Sequence, residues 1–470
     1  MTPRKILLFG CCVMFVIVVI SLIAPSEMKL GSFTFRYPDY RTWLKPEITG
    51  YKDIQAIIAS VDTIEPDRPQ QASVDDDIFA DVYPFEFPHG QDTLLFSLFR
   101  TIHNISRRNQ PIRILHYGDS QIEGDRITSA IRNYMQKNYG GRGIGFLPII
   151  PANDFSITFQ QDVSPHWKRF SIFDKDRDAH VSYNHYGISG NLTRHVPFDE
   201  ADSVAHIGLL PVYTGYRNIR TFTDVRLFYG QAQNPFTVVV NGGDTQRMTA
   251  SNTISSVWWQ FERPQNSIDL LLSSADLPDL YGITLDGDRG VAVDNLPQRG
   301  ASGLEFSRMD TAQMGEMFRM MNVEMLIFQF GANIVPHIVD NYDYFSRRWM
   351  QELRLLKALK PGLIIVVVGV NDISQNSADG YQSYPNIVKV RDAQKKAAFE
   401  TDCIFWDLYE AMGGENSMPG WVFAEPPLAQ KDFVHFTIGG AKIVAELFCK
   451  AWEKEYHRFR VTNRNCQDKE

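Results

Sequence analysis

Apolar and polar positions along the chain fall into three textures. Residues 6–24 form a nearly unbroken apolar run without a charge. From about residue 86 to 154, and again from about 291 to 460, short apolar runs alternate with stretches of helical periodicity. A helix is expected over 92–108, with apolar positions at Leu94, Leu95, Leu98, Ile102 and Ile105 and with Asp92 as its N-cap. Ile114 and Leu115 mark a buried strand, followed by a helix-like pattern through Ile131 and Tyr134. Later come strands over 291–293, 325–330, 364–370 and 401–408, with helices over 306–321, 344–359, 388–401 and 438–452 between and after them. Such alternation predicts a parallel sheet covered on both faces.

Between 155 and 290 the helical period fades. Short runs rich in β-branched and aromatic residues appear at 222–229, 236–240, 257–261 and 268–272, and Asn241-Gly242-Gly243 follows the second as a hairpin turn. These features predict an inserted β-sandwich of jelly-roll type. The expected organisation is a membrane segment over 1–25, a stalk over 26–85, an α/β domain over 86–154 and 291–460 split by the insert at 155–290, and a tail over 461–470.

The first segment changes the picture of where the protein sits. Residues 6–24 span about 28 Å as a helix, close to a hydrocarbon core. Arg4 and Lys5 precede them, which keeps that end in the cytoplasm and the rest outside. A cleaved signal peptide is the competing reading, but Ala24-Pro25 is a poor small-x-small site. The expectation is a single-pass anchor in the cell membrane, with the folded part in the periplasm or another extracytoplasmic space.

Composition adds little: 44% hydrophobic and 22% charged residues describe an ordinary globular chain. The formal net charge of −8 over 470 residues argues against a nucleic-acid partner. Of five cysteines, Cys11 and Cys12 lie in the apolar run. Cys403 reads as a buried strand residue, Cys449 and Cys466 can pair, and no spacing suggests zinc.

The candidate chemistry lies at the two ends of the α/β pattern. The run Ile112-Arg-Ile-Leu-His-Tyr-Gly118-Asp-Ser120 puts Ser120 at a strand-to-helix turn, where its hydroxyl is exposed. Asp432-Phe-Val-His435 precedes the last helix, and its spacing lets the carboxylate orient the imidazole that takes the serine proton. Gly140-Gly-Arg-Gly-Ile-Gly-Phe146 is glycine-dense but opens no helix after a strand, so it reads as a sharp loop packed near the serine and not as a nucleotide site.

Gly118-Asp119-Ser120 together with a C-terminal Asp432-x-x-His435 resembles the SGNH (GDSL) hydrolases over residues 112–154 and about 290–455. The resemblance implies a flavodoxin-like, three-layer α/β sandwich, catalysis by Ser120, Asp432 and His435, and neither metal nor cofactor. It also implies an oxyanion hole from the N–H of Ser120, a glycine N–H after the second strand and an asparagine side chain after the third. For the glycine, Gly187-Ile-Ser-Gly190 and Gly300-Ala-Ser-Gly303 look alike; order along the chain selects Gly303. For the asparagine, Gly369-Val-Asn-Asp372 matches the family's spelling, but Asn333 in Gly331-Ala-Asn333 ends the strand directly after the Gly303 helix. Order selects Asn333, although Ile334 stands where the family has Asp.

Asn295-Leu-Pro-Gln-Arg-Gly300 and Met412-Gly-Gly-Glu-Asn-Ser-Met418, with Trp421, resemble segments of a bacterial subgroup acting on cell-envelope glycans. Loops at strand ends line sites in such folds, so Arg299, Ser417 and Trp421 are either substrate contacts or loop scaffolding. The insert is similar to carbohydrate-binding modules within some peptidoglycan acetylesterases, with Trp167, Tyr216, Trp258 and Trp259 either stacking on sugars or filling the core. The expected activity is O-acetyl ester hydrolysis on an exported glycan. An O-acetyltransferase supplied by a membrane acyl-transfer protein and a non-catalytic glycan-binding protein are the alternatives.

Overall fold

The computed structural model describes residues 9, 12, 13, 15, 27–30, 33–36, 51–62, 79–152, 155–174, 181, 183–196, 204–212, 215–274, 276–377 and 380–467. Residues 1–51 with 376–381 make up one unit, and residues 52–375 with 382–470 the other. In the first, strands Glu27–Leu30 and Phe33–Arg36 pair antiparallel. The expected anchor over 6–24 falls almost wholly outside the described residues, among which no helix is long and apolar enough to cross a membrane.

The second unit is built on five parallel strands, β1 (Ile112–Gly118), β2 (Val291–Pro297), β3 (Val323–Gln329), β4 (Ile364–Val368) and β5 (Ile404–Trp406), in the order β2-β1-β3-β4-β5. That is the flavodoxin-like order, which places a switch point at the carboxyl ends of β1 and β3. Every residue of β1 is buried, as expected of a strand covered on both sides. Helices α1 (Thr128–Tyr139), α2 (Thr311–Met320), α3 (Asp343–Ala358), α4 (Ile387–Phe399) and α5 (Ile438–Gln467) supply the cover. Met314 and Phe318 of α2, Trp349 and Leu353 of α3 and Val390 and Ala397 of α4 share one core with Tyr117, Phe328 and Val367. On the other face α1 packs with α5, and Trp406 of β5 meets Phe448 of α5 edge to face, with ring centroids 5.3 Å apart.

The segment 155–290 folds into two antiparallel sheets. One has the order Thr245–Met248, Phe236–Val240, Ile268–Ser273, Val204–Pro211, Phe159–Val163; the other Ser255–Gln265, Phe222–Gly230, Asp279–Asp286, Asn191–His195, Trp167–Ser171. Their facing side chains, among them Ile207, Val238 and Leu270 from one and Val225, Leu227 and Ile283 from the other, form a second core. Asn241 and Gly242 both adopt left-handed φ, of 48° and 68°, as the tight turn between two strands requires. A buried charge cluster joins the insert to the parallel sheet: Arg113 of β1 donates to Asp294 of β2 at 2.7 Å and to Asp286 of the insert at 2.5 Å.

Several expectations need correction. Part of the supposed stalk is packed: helix Gln55–Asp62 and residues 79–85 lie on the α/β domain, burying Ile54, Val61 and Phe85, and Glu86 pairs antiparallel with Phe405 of β5. Asp92 caps no helix; the helix is Phe96–His103, and Asp92 instead pairs with Arg458 at 3.1 Å. The last helix runs unbroken to Gln467, so 461–467 are no separate tail. Cys449 and Cys466 stand seventeen positions apart on that one helix, about 25 Å along its axis, and Cys449 is free and buried. Trp167 and Trp259 are core residues, whereas Trp258 is 44% exposed.

Candidate active site

β1 delivers its last residue, Gly118, into a tight approach: a Cβ there would stand 2.8 Å from the carbonyl oxygen of Gln329 at the end of β3. The helix expected to start at Ser120 is delayed. Residues Ser120–Asp125 form a 3₁₀ turn that opens at Glu123 and Gly124, and α1 begins at Thr128. Asp119 holds this turn, accepting from Gln121 N at 3.0 Å and from Ala332 N at 3.3 Å in the loop after β3.

Burial pushes the Asp119 carboxyl up to about 6, against the pull of the Gln121, Ala332 and Gly331 N–H groups and of His435. A carboxyl raised above its unfolded value adds stability below that value and loses it as pH rises through the folded one. The window is therefore about pH 4 to 6, and the loss is about 3 kcal/mol at roughly 1.4 kcal/mol per unit. Asp119→Asn should flatten this fall, as denaturant titrations at pH 4 and pH 7 would register; an equal fall in the variant would assign it to another group.

The histidine loop reaches the serine from the far end of the chain. Ser120 Oγ lies 2.8 Å from His435 Nε2, and His435 Nδ1 lies 2.8 Å from Asp432 Oδ2. Phe433 takes a left-handed φ of 58°, which folds the loop so that Asp432 Oδ1 also accepts from Val434 N and His435 N, each at 3.0 Å. Burial raises the Asp432 carboxyl, but the hydrogen bonds from the His435 side chain and from these two N–H groups outweigh it, and the net shift is downward. Asp432 thus stays ionised, and the hydrogen on Nδ1 leaves Nε2 as the acceptor facing Ser120.

The pair opens into a groove of about 540 Å³, walled by Glu123, Arg126, Phe155, Arg299 and Ile438. Phe155 belongs to the first turn of the insert and packs on Gly124, where a Cβ would meet its ring at 2.8 Å. Arg299 stands at the mouth, 66% exposed and 3.8 Å from Glu123.

The loop after β2 carries Gly303 at φ 73°, a position where a Cβ would meet the Phe328 ring at 2.9 Å. Glu305 takes the N–H groups on either side, Ser302 at 3.3 Å and Leu304 at 2.7 Å. The Gly303 and Ser120 N–H groups have no hydrogen-bond partner among the described residues. Asn333 sits beside this loop, its Nδ2 donating to Ala301 O at 2.9 Å. Neither Gly303 nor Asn333 lines the groove itself. The rival Asn371 is buried and committed: it accepts from Gln121 at 3.2 Å and donates to Asp372 O at 2.8 Å and Val434 O at 3.2 Å. In the rival segment Gly190, the counterpart of Gly303, packs against Phe173 and Ile172, and Gly187 against Tyr281 and Met317.

Of the three residues read as either substrate contacts or scaffolding, two are framework. Ser417 and Trp421 are fully buried; Ser417 lies 3.5 Å from Asp372, and Trp421 donates to Met412 O at 2.8 Å and packs on Phe436, behind the histidine. Glu123, Arg126 and Phe155 escaped the sequence reading. The first two stand within six residues of Ser120, which was the one available signal. Among the described residues no group of three or more His, Cys, Asp or Glu side chains could hold a metal ion.

No protein-family model and no curated protein matches the chain. Solved structures do. A peptidoglycan O-acetylesterase superposes with a TM-score of 0.62 at 19% identity, covering 78% of this chain and 98% of that one. A family two carbohydrate esterase from Cellvibrio japonicus (TM-score 0.20, 7% identity, 53% and 89% covered) and a salicylyl-acyltransferase from a tetracycline biosynthetic pathway (0.27, 12%, 62% and 97%) align too loosely to carry an argument. With the strand order β2-β1-β3-β4-β5 and this first likeness, the chain shares the flavodoxin-like α/β fold of that solved structure.

Proposed function

We propose that the protein is a serine-dependent carbohydrate O-acetylesterase acting on an extracytoplasmic glycan through an acyl-serine. The observation that carries this reading is the unbroken relay from Ser120 Oγ through His435 to Asp432, each step 2.8 Å. The likeness to a peptidoglycan O-acetylesterase supports the substrate class.

In the first half-reaction Ser120 Oγ attacks the ester carbonyl while His435 Nε2 takes its proton. The carbonyl oxygen becomes an oxyanion held by the N–H groups of Ser120 and Gly303 and by Asn333 Nδ2. Collapse of the tetrahedral intermediate breaks the bond to the sugar oxygen, and His435 returns the proton to that leaving alcohol. In the second half-reaction water attacks the acyl-serine, His435 takes the water's proton, and acetate leaves as Ser120 regains its hydrogen. Asp432 keeps the imidazole in the competent tautomer throughout.

The apolar run 6–24 favours a second reading, an O-acetyltransferase held near a membrane acyl donor, in which a sugar hydroxyl replaces water in the second half-reaction. The same run supports the proposed single-pass anchor and extracytoplasmic location. A non-catalytic glycan-binding role would leave the relay without use. Incubating the protein with an acetyl ester donor and peptidoglycan or polysaccharide fragments separates the three. Acetate release from O-acetylated glycan is the result expected of the esterase. Acetyl accumulating on sugar would assign the transferase, and neither product would leave only the binding role.

A further inference from the structure

The relay demands that Ser120 meet a side chain 315 positions later within hydrogen-bond reach. His435 is shaped locally by Asp432 and by Gln430 N, which donates to His435 O at 2.7 Å. Those bonds form the loop, but they do not locate it against Ser120. Two side chains of the serine turn do. Gln121, directly after the nucleophile, donates Nε2–H to Val434 O at 2.7 Å. Arg126 donates Nη1–H to Phe436 O at 2.8 Å. The carbonyls on both sides of His435 are thus held from the segment that carries the serine. Among the described residues, these two bonds and the Oγ–Nε2 bond are the hydrogen bonds joining residues 120–126 to residues 430–437.

Arg126 also reaches back. Its Nη2–H donates to Ser120 O at 2.7 Å and its Nε–H to Glu123 O at 2.9 Å. One planar guanidinium therefore spans the nucleophile's own carbonyl and the carbonyl after the base. The fork geometry is fixed, and a lysine, with one compact ammonium on a flexible stem, cannot reproduce it. Gln121 is buried, and its Nε2 also reaches Asn371 at 3.2 Å, so its amide is held in turn.

We propose that Gln121 and Arg126 are positioning residues that clamp the histidine loop onto the serine turn and so set the Oγ–Nε2 separation. The inference rests on the esterase reading above. Neither side chain touches the reacting atoms. Both act on the distance, and a misplacement of about 1 Å is enough to cost about 10²-fold in rate.

The test uses the whole protein and p-nitrophenyl acetate, a substrate too small to depend on glycan contacts. Arg126→Ala should lower kcat by about 10²-fold with KM within about threefold. Guanidinium chloride at tens of millimolar should restore part of it, and Arg126→Lys should not. Gln121→Ala should lower kcat in the same pattern. Rescue by free guanidinium is a response that a general loss of fold would not give. Unchanged kcat in both alanine variants would overturn the clamp, as would a loss confined to KM, which would make Arg126 a substrate contact, or a kcat loss that guanidinium leaves untouched. Ser120→Ala measured in parallel separates the two levels. Loss there with full activity in both clamp variants refutes the clamp alone; survival there refutes the esterase reading along with it.

Discussion

Ser120→Ala should lower turnover of p-nitrophenyl acetate by at least about 10⁴-fold while leaving the fold intact. The side chain is small and only partly buried, so its removal opens no cavity in the core. In the proposed mechanism its Oγ forms the bond to the acyl carbon, and among the described residues no other hydroxyl bonds to His435 Nε2 to take its place. What survives in such variants is the contribution of binding and of the oxyanion donors. Circular dichroism and the thermal midpoint should match those of the parent protein. A variant that still turns over at more than a tenth of the parent rate would end the enzymatic assignment of this groove.

The second large effect separates two asparagines. Asn333→Ala should reduce kcat by about 10²–10³, the cost of removing one oxyanion donor, with KM little changed because the bond forms only in the transition state. Asn371→Ala should behave differently. Its carboxamide already serves Gln121, Asp372 and Val434 in a buried setting, so truncation removes three hydrogen bonds, takes away the donor to Asp372 O and should cost about 1–3 kcal/mol of stability. Steady-state kinetics paired with thermal unfolding distinguishes the two patterns. A selective kcat loss in Asn371→Ala, with Asn333→Ala near the parent rate, would move the third oxyanion donor to the loop after β4.

Why order along the chain points to Asn333 and literal spelling to Asn371 is physical. Asp372, the residue that completes the family's motif, is buried and used to anchor a neighbouring loop: it accepts from Ser383 Oγ at 2.6 Å and Met418 N at 2.8 Å. The spelling there serves structure. The strand–helix alternation of the α/β domain was legible because each buried strand is a short apolar run and each helix shows its period. Ser120 and His435 were legible because each sits at a predictable junction, the end of the first strand and the start of the last helix.

Other features left no such mark. Strands such as Phe159–Val163 and Asn191–His195 in the insert are five residues long, rich in polar side chains and without a tight-turn signal. The packing of residues 79–85 on β5 and α5 depends on partners more than three hundred positions away, and no local pattern announces it. For Ser417 and Trp421 the sequence leaves contact and scaffold equally open, because a loop at a strand end either lines a site or supports it, and only burial tells which. Gln121 and Arg126 act through backbone carbonyls, which every residue possesses, so no pairing of residue types could reveal them.

The proposed esterase reaction requires a covalent bond between an acyl group and Ser120. Rapid acid quenching during p-nitrophenyl acetate turnover, followed by peptide mass spectrometry, looks for that bond itself. The expected result is one acetyl group on the peptide that carries Ser120, absent when Ser120 is replaced by alanine. Continued turnover with that peptide unmodified, or an acetyl group mapped to another residue whose replacement stops the reaction, would contradict it.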